Sequence, residues 1–257
     1  MRFLTTGTQS GFGKHIYEIV NGISWTRQLP AESRKEIKYK GVDVIIHCAS
    51  NSCLSVNSDN LYTYMADNVL LTEELISTPH QKFIFFSSVD IYPRQGGLHS
   101  ENELINVNAV SGIYGITKLM SESIVRRYCP NYLILRCASL LGKYSRKNNL
   151  IRIIVDNPCA ITLSGDSQLN YVLHSDVSDF ILFAIKNDIQ GIYNVSSIEN
   201  ITLLEVADMV GKKVNFGRYH YNVGEVDNNS ISSVFPAFKK TSREVIVEFI
   251  LKVDIGR

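Results

Sequence analysis

The sequence predicts an α/β fold, a doubly wound parallel sheet carrying a smaller C-terminal lobe. Three observations predict it. Apolar strand-like runs such as 42–49 and 82–88 alternate with amphipathic helical stretches, which is how a parallel sheet covered on both faces reads. Glycines follow the first apolar run at once, at Gly7, Gly11 and Gly13. The length, 257 residues, suits one α/β domain with room for a small second lobe.

Each element has its own signal. A short strand is expected at 2–6. Residues 13–20 then read as a helix with Ile16, Ile19 and Val20 on one face, stopped by Asn21-Gly22. A strand at 23–27 precedes a helix over 30–40, where Pro30 suits the first turn and Gly41 the end. The strand at 42–49 leads to a long helix expected over 58–77, with Leu61, Met65, Val69 and Ile76 at helical spacing. Ser58 or Asp59 suits its cap. A strand at 82–88, a helix at 111–128 and a strand at 132–139 follow. Right-handed crossovers between such strands yield the doubly wound sheet. The second half is less regular. Helices are expected at 150–155, 177–186, 203–210 and 241–251, a turn at 165–167, extended chain at 171–174 and a strand at 191–195. The polar stretch 222–233 reads as mobile.

Bulk properties exclude several classes. Lys+Arg of 26 against Asp+Glu of 25 leaves a formal charge of +1. No global field therefore recruits nucleic acid or an acidic membrane. The five cysteines, Cys48, Cys53, Cys129, Cys137 and Cys159, are odd in number and form no CxxC pair. Neither a disulfide framework nor a metal site is expected. The N-terminal apolar stretch is too short for a signal peptide and no run spans a bilayer, so the expected compartment is the cytoplasm.

The glycines after the first strand have a physical task. A strand that turns sharply into a helix points helix N–H groups at a pyrophosphate. Side chains at Gly7, Gly11 or Gly13 would block the turn, the phosphate approach or the helix–strand contact. The spacing is GxxxGxG, not the generic GxGxxG. A purely structural loop is the alternative, but the position between strand and helix favours dinucleotide binding. At the end of the second strand stands Ser24-Trp25-Thr26-Arg27-Gln28, without an acidic residue. Arg27 suits a 2′-phosphate. A solvated surface arginine is the other reading. NADP(H) is thus favoured over NAD(H).

Tyr114 and Lys118 lie four residues apart on one helix and share a face. A phenol with a pKa of roughly 10 exchanges protons poorly at neutral pH. A neighbouring ammonium is expected to lower that value. Ser88 ends a buried strand, where open parallel sheets place ligands. Its hydroxyl suits a carbonyl or hydroxyl of a substrate.

Together these segments resemble the short-chain dehydrogenase/reductase superfamily. The nearest likeness is to its extended branch, the NAD(P)-dependent epimerase/dehydratase/reductase family acting on nucleotide sugars. The likeness covers most of residues 1–200. It rests on Thr6–Gly13, Asp43–Ala49, Asn68-Val69, Phe86–Tyr92, Tyr114–Lys118, Leu135-Arg136 with Gly142, Gly165–Gln168, His174–Val177 and Gly191–Val195. The resemblance implies a Rossmann fold. It implies Ser88, Tyr114 and Lys118 as catalytic residues. It also implies Gly7, Gly11, Phe12, Gly13, Cys48, Ala49 and Asn68 along the cofactor, with Lys118 on its ribose. Residues 1–142 with 172–198 then form the dinucleotide-binding domain, and 143–171 with 199–257 a small substrate-binding lobe. A homodimer through the helices at 58–77 and 111–128 is expected, although core packing explains the same apolar stripe.

The departures from that family are informative. The span between Thr6 and Val42 is short, so one edge strand is expected to be missing. Val89-Asp90 stands where sugar-nucleotide dehydratases carry Asp-Glu, which disfavours dehydration. Ser139 replaces an asparagine that grips the substrate, and Asn170 an arginine for its diphosphate. Arg146, Lys147 and Arg152 are replacement cations or solvated charges. Asp90 suits a sugar hydroxyl or a loop cap. His174 reads as a core or capping residue. The implied reaction is reduction of a nucleotide-linked 4-keto-6-deoxy sugar. A nucleotide-sugar 4-epimerase is the alternative, and a non-catalytic NADP-binding sensor or scaffold a third.

Overall fold

The computed structural model describes residues 1–53, 55–94 and 96–252. Strand and helix alternate through β1 (Phe3–Thr6), α1 (Gly11–Val20), β2 (Ile23–Trp25), α2 (Ala31–Lys40), β3 (Val44–His47), α3 (Leu61–Met65), α4 (Leu71–Ile76) and β4 (Lys82–Ser88). The short β5 (Leu98–His99), α5 (Ile113–Tyr128), β6 (Tyr132–Cys137), β7 (Ser139–Leu141), α6 (Asn149–Val155), β8 (Cys159–Leu163), β9 (Gln168–Leu169) and β10 (Tyr171–Leu173) follow. The chain ends with α7 (His174–Lys186), β11 (Gly191–Val195), β12 (Ile201–Thr202), α8 (Leu203–Met209), β13 (Val214–Tyr219), β14 (Glu225–Val226), α9 (Asn229–Val234) and α10 (Ser242–Lys252).

The central sheet is parallel, in the order β11-β6-β4-β3-β1-β2. The chain leaves β1 towards β2, then crosses back to place β3 on the other side. That reversal is a topological switch point, and a crevice opens outside the carboxyl ends of β1 and β3. Among the described residues the sheet ends at β2, with no further strand beyond it. This agrees with the edge strand expected to be missing.

Both faces are covered, as the unbroken apolar strands require. On one face Phe12 and Ile16 of α1 and Val177, Phe180 and Ile181 of α7 pack on Val44, Ile46, Ile84 and Leu133. On the other, Ile37 of α2, Leu75 of α4 and Val125 of α5 pack on Leu4, Ile45, Phe83 and Ile134. A separate core joins α6, α8 and α10 to β8 and β10 through Leu150, Ile153, Ile161, Val206, Ile246 and Phe249.

Three elements differ from expectation. The helix expected over 58–77 begins at Leu61, and its middle turn, Ala66–Leu70, is a π-helix. There the Asn68 carbonyl accepts the Thr72 and Ser121 hydroxyls, at 3.2 and 2.8 Å. Such side-chain insertion widens a helical turn. The strand expected over 132–139 stops at Cys137, because Ala138 bonds to the Val195 carbonyl and β7 turns to pair with β10. The stretch 222–233, expected to be mobile, forms β14 and most of α9. Its buried Asn228 amide donates to the Ser196 and Phe238 carbonyls, and Ile231 is fully buried.

Candidate active site

A cavity of about 1270 Å³ runs along the carboxyl edge of the sheet, from Trp25 to Tyr114. Gly7, Gly11, Phe12, Gly13, Arg27, Cys48, Ala49, Ser88, Tyr114, Lys118 and Ser139 all line it. The glycine turn is built as its chemistry demands. Gly7 has φ +71° and Gly11 φ +60°, both left-handed. A Cβ on Gly13 would stand 2.3 Å from the Gly7 carbonyl oxygen, so only glycine lets α1 approach β1 this closely. Ser10 caps α1 without a side-chain bond. The amides of Phe12 and Gly13, in the first turn, have no carbonyl acceptor within the helix. The Phe12 ring is turned into the core, 4.7 Å from Phe86 and edge-on to His174 at 5.4 Å.

These features fit a dinucleotide. The glycine turn and the first-turn amides of Phe12 and Gly13 suit a pyrophosphate, and the cavity continues to β2 on one side and α5 on the other. At the β2 end Arg27 pairs with Asp67, its side chain 75% exposed. Arg34 stacks over Trp25 at 5.2 Å and pairs with Glu74 at 3.3 Å. The acidic partners come from the π-helical turn and α4. No inspection of the strand end alone reveals them.

At the other end three side chains converge. Ser88 Oγ accepts from the Asp90 amide at 3.1 Å and lies on the rim of β4. Tyr114 sits in the first turn of α5. Burial pushes its phenol up to about 12, opposed by a hydrogen bond with the Ser50 hydroxyl. Lys118 is buried, and burial lowers its ammonium to about 8. Its Nζ donates to the Phe86 carbonyl at 2.7 Å and stands 5.6 Å from the centre of the Tyr114 ring. The expected lowering of the phenol by Lys118 is therefore not found. The two residues share a face, but Lys118 reaches past the ring to β4, and desolvation dominates.

Beneath the site lies a polar network that the sequence pattern does not announce. Glu122 on α5 and Arg136 on β6 form a buried bidentate ion pair. Ser87 donates to Glu122 at 2.5 Å, Arg136 to Tyr92 at 3.0 Å, and Tyr92 to Asn194 at 2.7 Å. This chain crosses β4, α5, β6 and β11 and fixes the strand end that bears Ser88. Gly115 lets α5 approach the segment after β4, since a Cβ there would fall 2.3 Å from the Asp90 carbonyl oxygen.

Other expected residues take different places. Asn68 does not line the cavity. It holds the loop that does, accepting from the Asn51 amide at 2.6 Å and donating to its carbonyl at 2.9 Å. Asn170 lies outside the cavity. It ties β10 to the loop at 197–200 through Ser197, Glu199 and Asn200. Asp90 faces Ser88, Arg94 and Tyr221. Lys147 and Arg152 are spent on Asp156, whereas Arg146 reaches Ser10 at the glycine turn. His174 begins α7 and is buried, held neutral by desolvation, with its pKa near about 3.

Comparison with known proteins agrees with this geometry. Residues 11–196 match the model of the NAD dependent epimerase/dehydratase family. The chain belongs to that family. No curated protein sequence compared with it matches significantly. Among solved structures, a dTDP-4-dehydrorhamnose reductase from Bacillus anthracis in complex with NADP superposes with a TM-score of 0.80 at 17% identity, covering 98% of this chain and 99% of that one. A UDP-glucuronic acid 4-epimerase from Bacillus cereus in complex with UDP-glucuronic acid and NAD gives 0.78 at 18% identity, covering 97% and 98%. A dTDP-4-dehydrorhamnose reductase from Yersinia enterocolitica gives 0.79 at 19% identity, covering 96% and 98%. These likenesses establish the Rossmann fold.

Proposed function

We propose that the protein is an NAD(P)-dependent oxidoreductase that reduces the C4 ketone of a nucleotide-linked 4-keto-6-deoxy sugar. The observation that carries the reading is the convergence of Ser88, Tyr114 and Lys118 on the same cavity as the glycine turn. Reductases and an epimerase of nucleotide sugars share this fold, which supports the substrate class. A nicotinamide bound here would supply the hydride. Gly7, Gly11 and Gly13 would hold its pyrophosphate near the end of α1, and Lys118 would hold its ribose. The Ser88 hydroxyl orients the sugar oxygen. Tyr114, protonated because burial holds its phenol high, donates the proton that the reduced oxygen takes up. Arg27 and Arg34, both lining the β2 end, favour NADP(H) over NAD(H). The core built on α6, α8 and α10 carries the substrate-binding lobe.

A second reading, a nucleotide-sugar 4-epimerase, is favoured by one observation. The Gly11 amide donates to the Tyr144 carbonyl at 2.8 Å, and Arg146 reaches Ser10 at 3.3 Å. A loop pinned on the glycine turn suits a cofactor retained through a full oxidation and reduction. The test is nicotinamide absorbance with NADPH and a panel of nucleotide-linked 4-keto-6-deoxy sugars. Oxidation that is lost in Tyr114→Phe supports the reductase. No oxidation, with C4 inversion of a saturated sugar nucleotide and no added cofactor, selects the epimerase. Tight cofactor binding without either reaction would leave a sensor or scaffold.

A further inference from the structure

Asp90 stands where three parts of the molecule meet. Its carboxylate accepts hydrogen bonds from the Tyr221 hydroxyl at 2.9 Å and from Arg94 at 3.5 Å. Its amide donates to Ser88 Oγ at 3.1 Å, and Ser88 Oγ donates back to Oδ2 at 3.4 Å. Its carbonyl oxygen lies against Gly115, next to Tyr114. One residue thus touches the catalytic serine, the catalytic helix and, through Tyr221, the smaller lobe.

Tyr221 is anchored in that lobe on both sides. Its amide donates to Ser167 Oγ at 3.0 Å, and its carbonyl accepts from the Gln168 amide at 2.8 Å. Its ring packs on the second core, and the Arg94 guanidinium covers it at 4.5 Å while donating to the Tyr219 hydroxyl at 2.7 Å. The ring also packs against Val89, Ile91 and Tyr92 after β4, so the hydroxyl is fixed at the junction of the lobe with that segment. A serine hydroxyl rotates about a single bond, so its direction is set by its partners. Here those partners belong to Asp90, and Tyr221 holds the Asp90 carboxylate.

We propose that Tyr221 and Asp90 are positioning residues: through the chain Tyr221–Asp90–Ser88, the smaller lobe sets the direction of the Ser88 hydroxyl. Without the Tyr221 hydroxyl, Oδ1 of Asp90 keeps its contact with Arg94, and the carboxylate turns towards the guanidinium and away from Ser88. The inference rests on the reading of Ser88 as the residue that orients the substrate oxygen.

The test is Tyr221→Phe, which keeps the ring and deletes one hydrogen bond. The ¹⁵N-labelled amide of Asp90, which bonds to Ser88, is expected to shift, while the amide of Lys118 on α5 stays in place. An unmoved Asp90 amide overturns the proposal whether or not a substrate is known. In turnover, kcat is expected to fall roughly tenfold with KM and cofactor affinity nearly unchanged. In a Ser88→Ala background the same change is expected to cost nothing further, because both act through one hydroxyl. Additive losses, or losses carried by KM, contradict it. A shifted Asp90 amide with no turnover on any sugar nucleotide keeps the coupling and rejects the functional reading instead.

Discussion

In the proposed reaction Tyr114 is the proton donor. Its phenol sits in the first turn of α5, raised to about 12 by burial. A phenol held protonated in this way suits the proposed proton donation to a reduced ketone. Replacing it with phenylalanine is expected to lower kcat by roughly 10²–10⁴-fold with little change in cofactor affinity, read from steady-state kinetics and a binding titration. Lys118 makes a pH prediction. Its value of about 8 in the folded protein lies below the ordinary 10.5. As pH rises through about 8 the ammonium is lost, and cofactor affinity is expected to fall there. Between about 8 and 10.5 the unfolded chain binds the proton that the folded protein has released, so this group makes stability rise over that window. Binding titrations and urea unfolding across the range check both halves. A residue pair four apart was legible in the sequence as one helix face. That Lys118 reaches past the phenol to the Phe86 carbonyl was not, because side-chain direction depends on what β4 offers.

Elements carry the precision of the site. The turn between β1 and α1 depends on Gly13, whose Cβ would meet the Gly7 carbonyl at 2.3 Å. Gly13→Ala is expected to weaken NADPH binding by roughly tenfold or more, about 1.4 kcal/mol, measured calorimetrically. Gly115→Ala should instead spare cofactor binding and lower kcat, because it pushes α5 away from the Asp90 carbonyl. Underneath, the pair Glu122–Arg136 bridges α5 and β6. Glu122→Ala leaves a guanidinium buried without its partner, and a loss of about 3–5 kcal/mol in urea unfolding is expected. The alternation of strands and helices was readable from apolar periodicity alone. The π-helical turn at Ala66–Leu70 was not, since it follows from hydroxyls of Thr72 and of Ser121 on another helix converging on one carbonyl. The folded state of 222–233 was hidden for a similar reason. Its polar residues find partners such as Ser196 and Phe238 that lie elsewhere in the chain.

At the scale of the whole molecule, the order of the strands places the crevice, and Ser145, Arg146 and Asn148 line it beyond β7. The glycine turn after β1, Cys48-Ala49 after β3 and Ser88 at the end of β4 fall along one sheet edge because every strand of the central sheet is parallel. That much follows from the sequence pattern. In the proposed reading the cofactor preference depends on residues far apart in the chain, since Arg27 is shared with Asp67. NADPH is expected to bind more tightly than NADH, Arg27→Ala to remove the difference, and Asp67→Asn to enlarge it, all by direct titration. The central claim is that this cavity passes a hydride between a nicotinamide and C4 of a nucleotide-linked sugar. It is tested most directly with NADPH deuterated at the transferring position and a nucleotide-linked 4-keto-6-deoxy sugar, with the product analysed by NMR. Deuterium at sugar C4 with the wild-type protein, and none with Tyr114→Phe, is the expected result. Bound NADPH with no deuterium on any sugar of the panel would contradict the account.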